Sequence, residues 1–222
     1  MDFRGGRIAR DSNEGFMAGN QQDIARHEGP LILASGSPRR YELMREHGYD
    51  VTVVLPPLPE PKHLEAHLSP AQLAEALSYF KASSVSATLD RGVILGGDTV
   101  VSLGDRVFGK PVDRDDARAI IMSLAGTTHN VITGVTLLDA QSHARLIRHD
   151  STAVTMKLLT DKEVEAYLGT GAWAGKAGAY GIQDYGDAFV TSLNGSFTNV
   201  VGFPMELVSR MLAEWGIHPP IS

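Results

Sequence analysis

The segment from Val93 to Leu103 constrains the fold most: it is apolar and β-branched at both ends, yet carries Gly96-Gly97-Asp98-Thr99 at its centre. Ends of this kind read as a buried strand, and the paired glycines predict an interruption at its middle. A carboxylate inside such a strand costs several kcal/mol unless it is paired or binds a metal. Asp98 is therefore expected to serve chemistry. Read as an unpaired buried charge, it is a liability that Asp98→Asn is expected to relieve.

Around this segment the pattern first alternates strand and helix. Leu31-Ile32-Leu33-Ala34 is a short strand running into Ser35-Gly36-Ser37-Pro38, with Ser37 as N-cap and Pro38 opening a helix. Tyr41, Leu43 and Met44 fall at helical spacing up to Gly48, and Val51 to Val54 reads as a strand stopped by Pro56, Pro57, Pro59 and Pro61. Ser69-Pro70 opens a helix to about Ala87, with Leu73, Leu77 and Phe80 on one face and Glu75 solvated. Asp113 caps a helix to Leu124 that Gly126 ends. Hairpins then dominate: His129 to Leu138 and Ala144 to Leu158 are long strand patterns joined near Ala140-Gln141-Ser142. Thr160 to Glu163 is a capping box for a helix to Leu168, Ala188 to Leu193 is a strand, and Pro204 to Trp215 a last helix. Early alternation and late hairpins predict an α/β fold with a mixed sheet flanked by helices.

The 222 residues suffice for one sizeable α/β domain or two lobes sharing a core. No apolar run approaches the roughly 20 residues that span a bilayer, so no membrane role is expected. The absence of cysteine excludes disulfides, thiolate nucleophiles and cysteine metal sites, and suits a reducing cytoplasm. A formal net charge of −6 argues against a nucleic-acid partner, so cations that bind phosphate must be local. Residues 1–30 are polar and glycine-rich without apolar periodicity, and are expected to form a disordered tail, without a signal-peptide core, ahead of a domain at 31–218.

Ser35-Gly36-Ser37-Pro38-Arg39-Arg40 joins free backbone N–H groups, two hydroxyls and two guanidiniums where a strand meets a helix, an arrangement suited to phosphate. By itself it reads equally as an ordinary capping turn. Taken singly, Lys81 after an apolar helical face, Lys110 in Phe108-Gly109-Lys110-Pro111 and Glu60 among prolines each read as solvated. The eight histidines are read as structural or surface residues. The segments Lys176 to Gln183 and Gly195 to Pro204 are glycine-rich but too apolar for linkers, and are expected to approach something closely.

Together these segments resemble the Maf family of nucleotide pyrophosphatases over Leu31 to about Gly216. The resemblance rests on Leu33-Ala34-Ser35-Gly36-Ser37-Pro38-Arg39-Arg40, Gly97-Asp98-Thr99-Val100-Val101, Gly109-Lys110-Pro111, Thr128 to Val135, Lys176 to Gln183 and Asn199 to Pro204, in the family's order. It implies a two-lobed fold related to the inosine triphosphate pyrophosphatases, with a central cleft, and a homodimer. It also implies that Asp98 is the catalytic proton acceptor and that Arg39, Thr99 and Gln183 set substrate choice, in the combination of the dTTP/UTP subfamily. Two departures stand out. Pro57 and Pro59 replace the family's usual aspartates while Glu60 survives, and Gly97 replaces the usual alanine.

The activity implied is hydrolysis of dTTP and UTP, with CTP or modified pyrimidine nucleotides as further substrates, to monophosphate and pyrophosphate. Mg²⁺ or Mn²⁺ is the expected cofactor, with Asp98 and Glu60 as its ligands. An isolated aspartate, with an ordinary pKa of roughly 3.9, is a poor base at neutral pH, so the metal must activate the water. Ser35, Ser37, Arg39, Lys81 and Lys110 are then expected to grip the triphosphate, and Thr99 and Gln183 to face the base. The competing readings are a non-enzymatic nucleotide-binding regulator of cell division or septum formation and, third, a purine-specific enzyme of the inosine triphosphate type.

Overall fold

The computed structural model describes residues 29–61, 68–183 and 187–220; apart from Gly29 and Pro30, the expected tail lies outside the described residues. One seven-stranded sheet contains β1 (Leu31–Ala34), β2 (Thr52–Val53), β3 (Val93–Leu103), β4 (Arg106–Phe108), β5 (Thr128–Asp139), β6 (Arg145–Met156) and β7 (Val190–Asn194). Its order is β2-β1-β3-β5-β6-β7, with β4 also on β3. β1 pairs parallel with β2 and β3, whereas the β3–β5, β5–β6 and β6–β7 ladders are antiparallel. The sheet is mixed, as the change from alternation to hairpins predicts. The helices are α1 (Pro38–Glu46), α2 (Pro70–Ser86), α3 (Arg114–Leu124), α4 (Asp161–Gly169), α5 (Phe197–Val201) and α6 (Met205–Glu214). β4 and α5 fall outside the expected elements because three and five residues are too few to show a period.

The two edges of β3 are used differently. β5 follows one of them from Val93 to Ser102. The other is shared, with β1 paired from Val93 to Gly96 and β4 from Val101 to Leu103. Between them, Gly97 to Val100 have no strand neighbour on that side among the described residues. A sheet split in this way leaves room for a ligand between the two strands that part.

Side-chain alternation divides the core accordingly. On one face, Val93 and Leu95 join Leu33, Met44, Leu137, Phe203 and Met211. On the same face, Val101 joins a second core with Phe108, Ile121, Leu124, Val154 and Tyr167. Gly97 and Thr99 lie between these cores, so the two lobes share a continuous strand and part at its middle.

The opposite face of β3 is covered by α2, which starts with a capping box of Ser69 and Gln72 and with Pro70 in its first turn. The helix lies so close that a Cβ on Gly96 would sit 2.4 Å from Ser78 O, and one on Gly134 2.2 Å from Ala74 O. This corrects the expected interruption: β3 runs unbroken, and Gly96 serves helix contact, not a break. Two smaller expectations are refined. α1 buries Arg40 with Leu43 and Met44 while Tyr41 is exposed, and Glu75, still partly exposed, lies 2.7 Å from His149 Nδ1.

Candidate active site

The open stretch of β3 borders a cavity of about 650 Å³, within the range of small-molecule sites. Ser35, Ser37, Arg39, Glu60, Lys81, Asp98, Thr99, Lys110 and Gln183 all line it, from six separate segments of the chain. Ser35 to Arg40 enter because β1 stops opposite Gly96 and the chain turns directly into α1. Ser37 holds the N-cap position, with Pro38 next, but its side chain makes no capping bond. Instead its backbone N–H donates to Ser35 Oγ at 3.2 Å.

Asp98 points toward α2 and is buried, with 7% of its surface exposed. Its partner is Lys81, whose ammonium donates to Asp98 Oδ1 and lies 2.8 Å from Glu60 Oε1. The reading of Asp98 as an unpaired charge is thus corrected, and so is that of Lys81 as a solvated lysine. Glu60 is half open to the cavity. Burial pushes its carboxyl up, but the Lys81 hydrogen bond and the charges of Lys81, Lys110 and Arg40 outweigh this and hold it below the ordinary value.

Arg40, which the sequence placed only within a surface-facing phosphate turn, is a buried hub. It donates through Nε to Gly202 O (2.9 Å), through Nη1 to Ser35 Oγ (3.2 Å) and through Nη2 to Thr99 Oγ1 (3.0 Å). Burial lowers its proton affinity, opposed by the Asp98 charge. Thr99 Oγ1 also lies 2.9 Å from Thr133 Oγ1, so the Thr99 hydroxyl is committed to a network inside the protein. Arg39 is more open and donates through Nε to Val201 O at 3.3 Å.

The third wall is the segment from Lys176 to Gln183. Gly178 takes φ 73°, a left-handed conformation that suits glycine, and donates its N–H to Gly109 O at 3.0 Å, tying this segment to the turn of Lys110. Tyr180 is anchored from behind by His129, Nε2 to hydroxyl 2.8 Å, and both are buried. Gln183 lies further along the same segment with an exposed side chain.

The burial of His129 has a measurable consequence. It pushes the imidazole down from 6.5 to about 4, so the folded protein excludes a proton that the unfolded chain accepts. Stability is therefore expected to fall as pH drops through 6.5 toward 4, by about 2 kcal/mol between pH 7 and pH 5 from this group. Urea midpoints across that range should show it, and His129→Gln should flatten the slope; an equal slope in both proteins assigns the loss to other groups.

Among the described residues the lining holds five cations, Arg39, Arg40, Lys81, Lys110 and Lys176, against the two carboxylates Glu60 and Asp98. A protein of net charge −6 thus concentrates positive charge in one cleft, which fits a polyanionic ligand. No group of three or more His, Cys, Asp or Glu side chains suited to a metal gathers among the described residues. Mg²⁺ commonly takes one or two carboxylates and completes its shell with water and substrate phosphates. The pair Glu60 and Asp98, both in contact with one ammonium, fits such a cation arriving with phosphate better than it fits an all-protein cage.

The chain has counterparts among known proteins. The chain is 39% identical over 188 residues to the dTTP/UTP pyrophosphatase of Pelotomaculum thermopropionicum, covering 85% of this chain and 97% of that protein. It is 42% identical over 183 residues to the dTTP/UTP pyrophosphatase of Alkaliphilus metalliredigens, covering 82% and 94%. Among solved structures, a nucleoside-triphosphatase / dITP/XTP pyrophosphatase from Mycobacterium abscessus matches at 12% identity and TM-score 0.43 over 84% of this chain and 98% of that one, too distant to transfer any residue's role. Residues 30–215, which contain every strand, every helix and the whole cavity lining described above, match the Maf-like protein family, and the chain belongs to it.

Proposed function

We propose that this chain is a nucleoside triphosphate pyrophosphatase that converts dTTP and UTP to monophosphate and pyrophosphate, with CTP or modified pyrimidine nucleotides as further substrates. The observation that carries the reading is the cation-rich cleft at the open edge of β3 with the buried carboxylate of Asp98 at its centre. The names of the relatives from P. thermopropionicum and A. metalliredigens support it and point to the pyrimidine substrates.

In this reading Ser35, Ser37, Arg39 and Lys110 grip the triphosphate, the guanidinium and ammonium groups offsetting its charge. Water attacks the α-phosphorus, the bond to the α,β-bridging oxygen breaks, and pyrophosphate leaves with the electron pair. Asp98 receives the proton of the attacking water. Asp98 and Glu60 would hold a divalent cation, Mg²⁺ or Mn²⁺, which when bound supplies charge neutralisation and an activated water. Gln183, exposed in the cavity wall, can both donate to and accept from a pyrimidine edge. Thr99 contributes differently from a direct hydroxyl contact, since its oxygen is engaged by Arg40 and Thr133; it shapes the base site by fixing Arg40.

The test is pyrophosphate release from eight nucleotides with Mg²⁺, Mn²⁺ and one further metal. UTP and dTTP are expected to be turned over at least ~10²-fold faster than purine nucleotides, well inside the ~10⁴–10⁵ that a site built to hydrogen-bond its substrate can reach. Absence of pyrophosphate under every condition, with the protein folded, rejects the proposal. A homodimer and a cytoplasmic location belong to the same reading. No helix among the described residues is long and apolar enough to cross a membrane. Sedimentation showing only the mass of a single chain would remove the dimer.

A further inference from the structure

The carboxylates assigned to the metal already have a cation between them. Lys81 contributes its ammonium to Asp98 and to Glu60 at once, and its stem is packed in the face that α2 presents to the sheet. The position is not an accident of a long side chain: Leu73, Ala74, Leu77, Ser78, Lys81, Ala82 and Val85 follow one helical stripe, so the packing of α2 delivers the charge to this point. The other cations of the cleft increase the local positive field further. A divalent ion entering the cleft alone meets an excess of positive charge and two carboxylates that are already engaged. A triphosphate reverses both conditions, because it brings several negative charges and oxygens able to accept from Lys81.

We infer that Lys81 is an internal counter-ion that keeps Glu60 and Asp98 closed to free metal, so that the divalent cation enters only together with the triphosphate, whose oxygens take over the ammonium. Metal and nucleotide then strengthen each other's binding, and by linkage they do so reciprocally. The inference rests on the proposed pyrophosphatase reading for the identity of the polyanion. Its central claim, the low affinity of the nucleotide-free cleft for metal, concerns only residues of this chain.

The experiment is a titration of the full-length chain with Mn²⁺ and no nucleotide, free Mn²⁺ being read by electron paramagnetic resonance. The parent protein is expected to bind weakly, and Lys81→Met, which keeps an unbranched apolar stem and removes the charge, to bind at least ~10-fold more tightly, within the range of known coupling factors. Should Lys81→Met not fold, Lys81→Gln is the second variant, since its amide still donates to a carboxylate but carries no charge. Adding Glu60→Gln to either variant should cancel the gain. Equal Mn²⁺ affinity in the parent and the uncharged variant overturns the inference, as does tight binding by the parent alone. Neither result depends on turnover, so this inference and the pyrophosphatase reading can fail separately.

Discussion

Asp98→Asn is expected to reduce pyrophosphate release from dTTP by at least ~10²-fold, because general-base removal alone typically costs ~10² to 10⁴ in rate. The amide keeps the shape of the side chain but loses the charge that a proton or a metal requires. The expected stability change is the opposite of what the sequence suggests. Asp98 is paired with the buried ammonium of Lys81, so the substitution leaves that ammonium with only half-exposed Glu60 as counter-charge. Weakening a buried ion pair while retaining a neutral acceptor should cost about 2 kcal/mol. For a chain of this size that lowers the thermal midpoint by about 4–8 °C. Nucleotide should still bind, since Arg39, Lys110 and Ser35 are untouched. Turnover within a few-fold of the parent would move the base to Glu60, and an unchanged or raised midpoint would show that the Lys81 pair does not stabilise the fold.

The second large effect is expected at a residue that has no side chain. Gly134 is the cross-strand partner of Asp98, and a Cβ there would stand 2.2 Å from Ala74 O and 2.6 Å from Glu75 N, both backbone atoms of α2. Neither can turn aside like a side chain, so Gly134→Ala must lift the helix from the sheet. The cost should reach or exceed the top of the ~1–3 kcal/mol usual for overpacking. Activity should fall as well, because α2 carries Lys81 to Asp98. Gly169→Ala, which meets nothing within 4 Å at the end of α4, is the control and should change stability by less than ~0.5 kcal/mol. Comparable midpoints for the two variants would show that the helix can move away at little cost, and the close contact would not be what the glycine serves.

Much of this arrangement was legible in the chain. The strand into Ser35, the apolar strand around Asp98, the helix start at Ser69-Pro70, the capping box at Thr160 and the long hairpin are local patterns, and the structure contains each of them. What escaped is nonlocal. Lys81 looks solvated because its two partners come from a proline-rich segment and from β3, and nothing near it in sequence announces them. A signal was nevertheless available: Lys81 stands four residues after Leu77, and Arg40 three and four before Leu43 and Met44, so each cation occupies an apolar stripe. A charge in that position is the mark of a buried partner. The commitment of Thr99 to Arg40 and Thr133 had no such mark, since a threonine on a strand is ordinary and its partners lie 59 and 34 residues away.

The continuity of β3 past the cleft also limits how the protein can breathe. A site between two lobes suggests jaws turning about a hinge, but here both lobes are built on the same strand, and β5 is bonded to it along nearly its whole length. Bending that ladder would break the hydrogen bonds that join the two strands from Val93 to Ser102. Entry of a ligand is therefore expected over the rim, where Pro57, Pro59, Glu60 and Gln183 are exposed, and not by bending of the floor. Asp98, carried on that ladder, is therefore expected to hold its position through a cycle of the proposed reaction.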